Sequence, residues 1–137
     1  MSKISLEYNG GLRNNLTHEA SKTNILTDAP KDNNGKGESF SPTDLVASAL
    51  AACMVTIIGI QEESLSFGIT KMSAEVEKIM ESNPRRIAEV KIELNIDTNS
   101  QLSELQMKNI YAIAKNCPVA LSLKKELKQS VKINFTH

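Results

Sequence analysis

The chain has 137 residues, and its 16 basic residues are balanced by 16 acidic ones, so the formal net charge is zero. This balance excludes the basic surface expected of a nucleic-acid-binding protein. With 40% apolar residues, six glycines and four prolines, the composition also excludes disordered and fibrous classes. The first ten residues, MSKISLEYNG, lack the apolar stretch of a secretory signal. We therefore expect a single domain over residues 1–137 that is soluble and cytoplasmic and binds neither nucleic acid nor a membrane.

The N-terminal region is predicted to form short β-strands. Apolar and polar residues alternate over residues 4–8, and Asn9-Gly10-Gly11 is typical of a hairpin turn. A third strand is expected at residues 23–27. The polar segment at residues 28–39 is predicted to be a long loop.

A buried helix is predicted to follow this loop. Ser41-Pro42-Thr43-Asp44 has the features of a helix start, with Ser as the N-cap, Pro at the first helical position and a carboxylate at the third. Residues 45–60 are apolar almost all the way round, so this helix should be buried on all sides. The apolar run is shorter than the roughly 20 residues that a bilayer span needs. Because so short a chain can hardly enclose such a helix alone, we expect a second copy to cover part of it in a homodimer.

The C-terminal half alternates between strand and helix patterns. Residues 72–76 and 90–96 alternate in polarity around the turn Ser82-Asn83-Pro84, which indicates an antiparallel hairpin. A capping box of Ser103 with Gln106 begins a helix that should run to about residue 116. A second helix is expected from residue 118 to residue 127, and a last strand at residues 131–135. Together these elements predict an α+β domain.

Two cysteines, Cys53 and Cys117, lie far apart in the sequence. A reducing compartment makes a permanent disulfide unfavourable. A metal site is also poorly supported, because the histidines, His18 and His137, and the cysteines lack metal-ligand spacing. The residues alone leave two alternatives open, a pair of buried thiols or a redox pair that closes transiently.

The surroundings of each thiol can be estimated from the pattern. Cys117 is predicted at a helix N-terminus, which lowers a thiol pKa, whereas Cys53 lies in the buried helix and needs a nearby cation to stabilise its thiolate. Arg13, which follows the glycine turn, is a candidate for that cation. Asp44 lies on the opposite face of the helix from Cys53 and roughly 13 Å away along the axis, so its default role is capping. If the helix packs against an antiparallel copy, Asp44 could approach the partner's Cys53.

Two motifs resemble those of a known family. The segment SPTDLVASALAAC, which ends at Cys53, is similar to the helix signature of the OsmC/Ohr family, the osmotically induced and organic hydroperoxide resistance proteins. The segment NCPV at residues 116–119 resembles the second cysteine motif of the family, and the order of predicted elements matches from Ile4 to Phe135. The resemblance is to the broader OsmC-like branch.

The resemblance implies a fold, a chemistry and a set of roles. The fold would have antiparallel sheets wrapped around a long buried central helix, in an intertwined homodimer with active sites at the interface and no metal or organic cofactor. Members reduce hydroperoxides, preferably organic ones, and an external dithiol regenerates them. Carried over to this chain, Cys53 is the peroxidatic cysteine, Cys117 the resolving cysteine, and Arg13 the cation that activates the thiolate.

At one position the chain departs from the family pattern. The peroxidase branches place Glu where this chain has Thr43, and the adjacent Asp44 is the candidate substitute for that Glu. Two functional classes therefore follow. The first is a thiol peroxidase that forms a Cys53 sulfenic acid and then a Cys53–Cys117 disulfide. The second is a non-enzymatic dimer that binds a small apolar or thiol ligand in the cleft between subunits.

Overall fold

A computed structural model describes residues 1–137 of the protein. It contains six strands and three α-helices. In chain order they are β1 (Ile4–Gly10), β2 (Arg13–His18), β3 (Thr23–Asp28), α1 (Pro42–Leu65), β4 (Ile69–Glu81), β5 (Arg86–Thr98), α2 (Glu104–Lys115), α3 (Pro118–Ser122) and β6 (Lys128–Thr136). The strands form two three-stranded sheets, and the long helix α1 separates them in the chain. The predicted α+β fold class is confirmed. The chain divides into two compact units, Met1–Val46 and Ala47–His137, which are described separately.

In the first unit, β1, β2 and β3 form an antiparallel sheet in that order. The predicted glycine turn is present, and Gly10 and Gly11 both have the positive φ that glycine adopts without strain. The third strand extends one residue beyond its predicted end, so that Asp28 closes the strand and does not begin the loop. In the antiparallel register Asp28 lies directly opposite Arg13.

The predicted loop after β3 folds back on itself and contains a short 3₁₀ turn, Lys31–Asn33. The Gly35 amide donates to the Pro30 carbonyl at 2.9 Å, and the Gly37 amide donates to the Ala29 carbonyl at 3.2 Å. Gly35 has no room for a side chain, since an added Cβ would lie 1.7 Å from the Ala29 carbonyl oxygen. The loop therefore has one defined path, set by backbone hydrogen bonds.

Helix α1 begins at the predicted cap. The Asp44 amide donates to the Ser41 hydroxyl at 3.0 Å, and the Ser41 amide donates to the Asp44 carboxylate at 2.9 Å. This is a reciprocal capping box, so the capping role expected of Asp44 is confirmed. It satisfies two backbone donors that a helix start would otherwise leave open.

Helix α1 ends later than predicted, at Leu65, and has 24 residues. It is long and apolar enough to cross a membrane by length and composition alone, so the length argument against a bilayer span was wrong. Core helices of soluble proteins have the same composition. Along one face of α1, Leu50, Met54 and Ile58 are fully buried within the chain, as expected of such a core helix. The opposite face is open in the single chain, where Ile60 is 54% exposed, so burial on all sides would need a partner.

The sheet of the second unit has the order β4-β5-β6. The β4–β5 hairpin is antiparallel, as predicted, but β6 pairs with β5 in parallel, so the expectation of purely antiparallel sheets was wrong for this pair. A parallel pair needs a crossover connection, and α2 with α3 supplies it by returning the chain to the end of the sheet where β5 begins. On β5, alternate residues from Val90 to Ile96 are buried and pack with α1 and α2 in one apolar core.

Helix α3 is much shorter than predicted, since it ends at Ser122 and not at residue 127. Leu123 has extended backbone angles, and the Ser122 hydroxyl donates to the Pro118 carbonyl at 2.7 Å, which satisfies an acceptor of the last turn. The charged residues after Leu123 form a turn that leads into β6. The capping box of Ser103 with Gln106 and the end of α2 at Asn116 are as predicted.

Candidate functional site

The two cysteines meet inside the second unit. Cys53 is partly exposed on α1, and Cys117 is fully buried at the junction of α2 and α3. Their thiols are in hydrogen-bonding contact, and both are reduced. A pair so far apart in sequence is thus adjacent in space, as a disulfide between them would require.

The sequence around Cys117 explains its position. The residue before a proline is biased towards extended backbone, and Cys117 before Pro118 has φ −69° and ψ 152°. Its amide donates to the Ala114 carbonyl at 3.3 Å, which closes α2, and its carbonyl accepts from the Leu121 amide at 3.1 Å, which opens α3. The break between the two helices therefore holds the Cys117 side chain in the core.

The pKa expected for Cys117 was wrong in direction. Its burial raises the pKa of the thiol above its usual value, and the hydrogen bond and charge of Cys53 raise it further. The backbone amides of Ala120 and Val119 act in the opposite direction, as a helix N-terminus should, but more weakly. A helix of five residues is too short to offset the cost of placing a thiolate in an apolar core.

In the first unit, Arg13 is held by two carboxylates. Its Nε and Nη2 atoms donate to the two oxygens of Asp28 at 2.6 and 2.7 Å, and Nη2 also donates to Glu38 at 3.0 Å. The Asp28 side chain is fully buried, whereas that of Glu38 is 66% exposed. The Glu38 amide adds a third hydrogen bond to Asp28, at 3.1 Å.

These contacts have clear electrostatic consequences. The hydrogen bond from Arg13 holds the pKa of Asp28 below its usual value despite the cost of burial, and the Glu38 amide acts in the same direction. The carboxylates of Asp28 and Glu38 in turn raise the pKa of Arg13. The guanidinium is therefore permanently charged, fixed in orientation, and partly neutralised by its neighbours.

Asp28 and Glu38 were missed in the sequence, where both fell in the predicted loop. A usable signal existed for Asp28. A four-residue connection between His18 and Thr23 pairs these two residues, and continuing the antiparallel register places Arg13 opposite Asp28. No comparable pattern indicates Glu38, because its position depends on the path of the loop.

The predicted site residues thus fall into separate local arrangements. Cys53 contacts Cys117 in the second unit, Arg13 binds Asp28 in the first unit, and Asp44 forms the capping box of α1. No three His, Cys, Asp or Glu side chains cluster in a way that could hold a metal ion.

Known proteins were compared with the chain by sequence and by structure. The family model described as OsmC-like protein matches residues 35–132. The chain is 44% identical in sequence to an osmotic stress induced and detoxification response protein from Psychrobacter arcticus 273-4, whose crystal structure is known. The match covers 98% of this chain and 96% of that one, with a TM-score of 0.90. No curated protein gives a significant match.

More distant structures share the fold. The OsmC-like protein of Mycoplasma pneumoniae is 22% identical over 100% of this chain and 98% of its own, with a TM-score of 0.83. An organic hydroperoxide resistance protein OsmC of Legionella pneumophila is 15% identical over 100% of this chain and 97% of its own, with a TM-score of 0.71. With the family model spanning most of the chain and a relative of 44% identity along nearly its whole length, the chain belongs to the OsmC/Ohr family of OsmC-like proteins.

Proposed function

We propose that this protein is a thiol peroxidase that reduces hydroperoxides through Cys53 and Cys117. Membership of the OsmC/Ohr family supports a redox or peroxide-related role, and the name of the Legionella pneumophila relative supports organic hydroperoxides as substrates. The observation that carries the proposal is the contact between the two cysteines, with one thiol partly exposed and the other fully buried.

The proposed reaction begins at the accessible thiol. The Cys53 thiolate attacks the terminal oxygen of the hydroperoxide, the O–O bond breaks, and the alkoxide leaves and takes up the proton that the Cys53 thiol had lost, which gives the alcohol. Cys53 is then a sulfenic acid. The sulfur of Cys117 attacks this sulfenic acid, an S–S bond forms, and the hydroxyl leaves with the proton of Cys117 as water. An external dithiol reduces the disulfide by two successive exchanges and is itself oxidised to a disulfide.

The pKa of Cys117 fits the order of the two thiol steps. Burial raises the pKa of the Cys117 thiol most, and the hydrogen bond and charge of Cys53 raise it further, so the buried cysteine keeps its proton while Cys53 is a thiolate. A sulfenic acid at Cys53 is neutral, and its formation removes that contribution. Cys117 therefore becomes easier to ionise only after the peroxide has reacted, which suits a resolving cysteine.

In this proposal Arg13 supplies the positive charge that stabilises the Cys53 thiolate, as the family resemblance implies. Asp28 and Glu38 hold its guanidinium through three hydrogen bonds, which use Nε and Nη2. Asp44 remains the candidate for the family Glu at the neighbouring position. We further propose that the active form is a cytoplasmic homodimer, which would cover the exposed apolar face of α1 around Ile60.

The test is a count of free thiols on reduced protein before and after one equivalent of tert-butyl hydroperoxide. Wild type should lose both thiols of each chain within seconds. Cys53→Ser should keep its one remaining thiol, Cys117, over that time. Cys117→Ser should lose one and give a Cys53 adduct with dimedone, a reagent specific for sulfenic acids.

The two serine variants control for each other, because each removes one thiol from the same contact. A parallel experiment with hydrogen peroxide compares the substrate classes. Unchanged thiols in folded wild type after hydroperoxide treatment would contradict the proposal. That result would favour the alternative of a non-enzymatic dimer that binds an apolar or thiol ligand.

A further inference from the structure

A shallow surface cleft in the second unit is lined mainly by lysines. It lies where the end of α2, the turn after α3 and the start of β6 come together, and has a volume of about 380 Å³. Four lysines line it, namely Lys115, Lys124, Lys125 and Lys128. The lining residues include no carboxylate, although Glu126 lies with Lys124 and Lys125 in the adjoining depression.

The lysines of this cleft are poorly compensated. Outside the cleft, some lysines pair closely with an acid, as Lys22 does with Glu19 at 2.5 Å. In the cleft, Lys128 has a carboxylate only at 3.8 Å, and neither Lys124 nor Lys125 forms an ion pair. Lysines that line the same cleft repel one another, and an anion bound between them would relieve that repulsion.

Hydrogen bonds fix the walls of the cleft. The Lys115 ammonium donates to the Gln129 carbonyl at 3.0 Å, and the Gln129 side-chain amide donates to the Ala120 carbonyl, also at 3.0 Å. These two bonds tie α2, α3 and β6 together across the base of the cleft. Leu123 and Leu127 add apolar surface to the lining. The site is thus shaped in advance, with charged groups beside an apolar patch.

We propose that this cleft binds a small anionic ligand that carries a di- or triphosphate group. Four lysines match a ligand with several negative charges. A single carboxylate group carries only one. Lysine is a frequent partner of phosphate oxygens because it acts as a compact point charge. The volume falls within the roughly 300–1,000 Å³ typical of small-molecule sites, and the leucines can contact the uncharged part of the ligand. Neither cysteine nor Arg13 lines the cleft, so this site is independent of the proposed thiol chemistry.

The experiment is a calorimetric titration of the full chain with inorganic triphosphate at low ionic strength and pH 7. Wild type should bind, and the affinity should fall as salt is added because exposed charges are screened. Lys124→Gln/Lys125→Gln should bind about tenfold more weakly, since two exposed charge contacts are lost. Amide chemical-shift changes should centre on residues 115–129.

The matched control is Lys71→Gln/Lys91→Gln, which removes the same charge from the hairpin of β4 and β5. There Lys71 lies opposite Asp97, and Lys91 lies opposite Glu77. This variant should bind triphosphate like wild type. Equal weakening in both double variants would overturn the proposal, because it would show a general effect of net charge.

Two further results would also overturn it. One is the absence of binding by folded wild type at millimolar triphosphate. The other is binding to vesicles that contain phosphatidic acid without binding to free triphosphate, which would assign the lysines to a lipid surface. Because the readouts require no thiol reaction, they stand whether or not the protein proves to be a peroxidase.

Discussion

Replacing Glu62 by alanine should destabilise the protein far more than the same change at the next residue. Near the end of α1, the carboxylate of Glu62 accepts three backbone hydrogen bonds. They come from the amides of Phe67, Gly68 and Ile69 at 2.8, 2.9 and 3.0 Å. One side chain therefore satisfies the whole turn that leads from α1 into β4. Phe67, in the middle of this turn, is buried in the core.

The size of the effect follows from these contacts. A hydrogen bond to a charged group contributes about 1.5–3 kcal/mol, so three of them set an upper limit of about 9 kcal/mol, which is comparable with the whole stability of many domains. Glu62 is only partly buried, and water can reach some of the freed amides after truncation. We therefore expect Glu62→Ala to lower the free energy of unfolding by about 2–4 kcal/mol.

Glu63→Ala is the matched control, because it makes the same change of charge and of helix propensity at an exposed neighbour. Unfolding in urea, followed by far-ultraviolet circular dichroism at one fixed protein concentration, would compare the two variants. If Glu62→Ala and Glu63→Ala differ by less than about 0.5 kcal/mol, the three hydrogen bonds do not stabilise the turn and the reasoning is wrong.

Three other predictions concern the ionisable groups and the glycines. The pKa of Asp28 is lowered in the folded protein, so its contribution to stability is present at neutral pH and is lost as the pH falls below about 4. In urea unfolding, the difference in the free energy of unfolding between wild type and Asp28→Asn should therefore be smaller at pH 3 than at pH 7. An equal difference at both pH values would contradict this. Because burial raises the pKa of Cys117, its alkylation by iodoacetamide at pH 8 in a Cys53→Ser background should be much slower in folded than in urea-unfolded protein, and equal rates would refute its burial. Gly35→Ala should lower the free energy of unfolding by about 1–3 kcal/mol, because its Cβ would collide with the Ala29 carbonyl. Gly59→Ala in α1, whose Cβ meets no atom closer than 3.9 Å, should raise it by about 0.5–1 kcal/mol. In thermal unfolding, the melting temperatures of the two variants should shift in opposite directions.

Local chemistry explains which elements could be predicted from the sequence. The capping boxes at Ser41 and Ser103 depend on residues three positions apart, and the glycine turn before Arg13 depends on adjacent residues. The alternation along β5 follows from the two faces of a strand. Signals of this kind are complete within one segment, so the start of a helix or the face of a strand can be predicted without knowing the fold.

Errors occurred where a segment depends on distant residues. Helix α1 continues beyond residue 60 to Leu65, and α3 stops at Ser122, before the turn that leads into β6. The parallel pairing of β6 with β5 is decided by the crossover of the two preceding helices. None of these outcomes is encoded in a short pattern.

The sequence by itself determined the α+β class, the helix caps and the family, because each is carried by residues close together in the chain. Only the tertiary structure decided which thiol is buried, and so reversed the pKa direction expected for Cys117. It also decided that Asp28 and Glu38 hold Arg13, and that four lysines share one cleft. The physical reason is the same in each case: burial and charge pairing depend on the distance between side chains in space, which folding sets and local sequence does not.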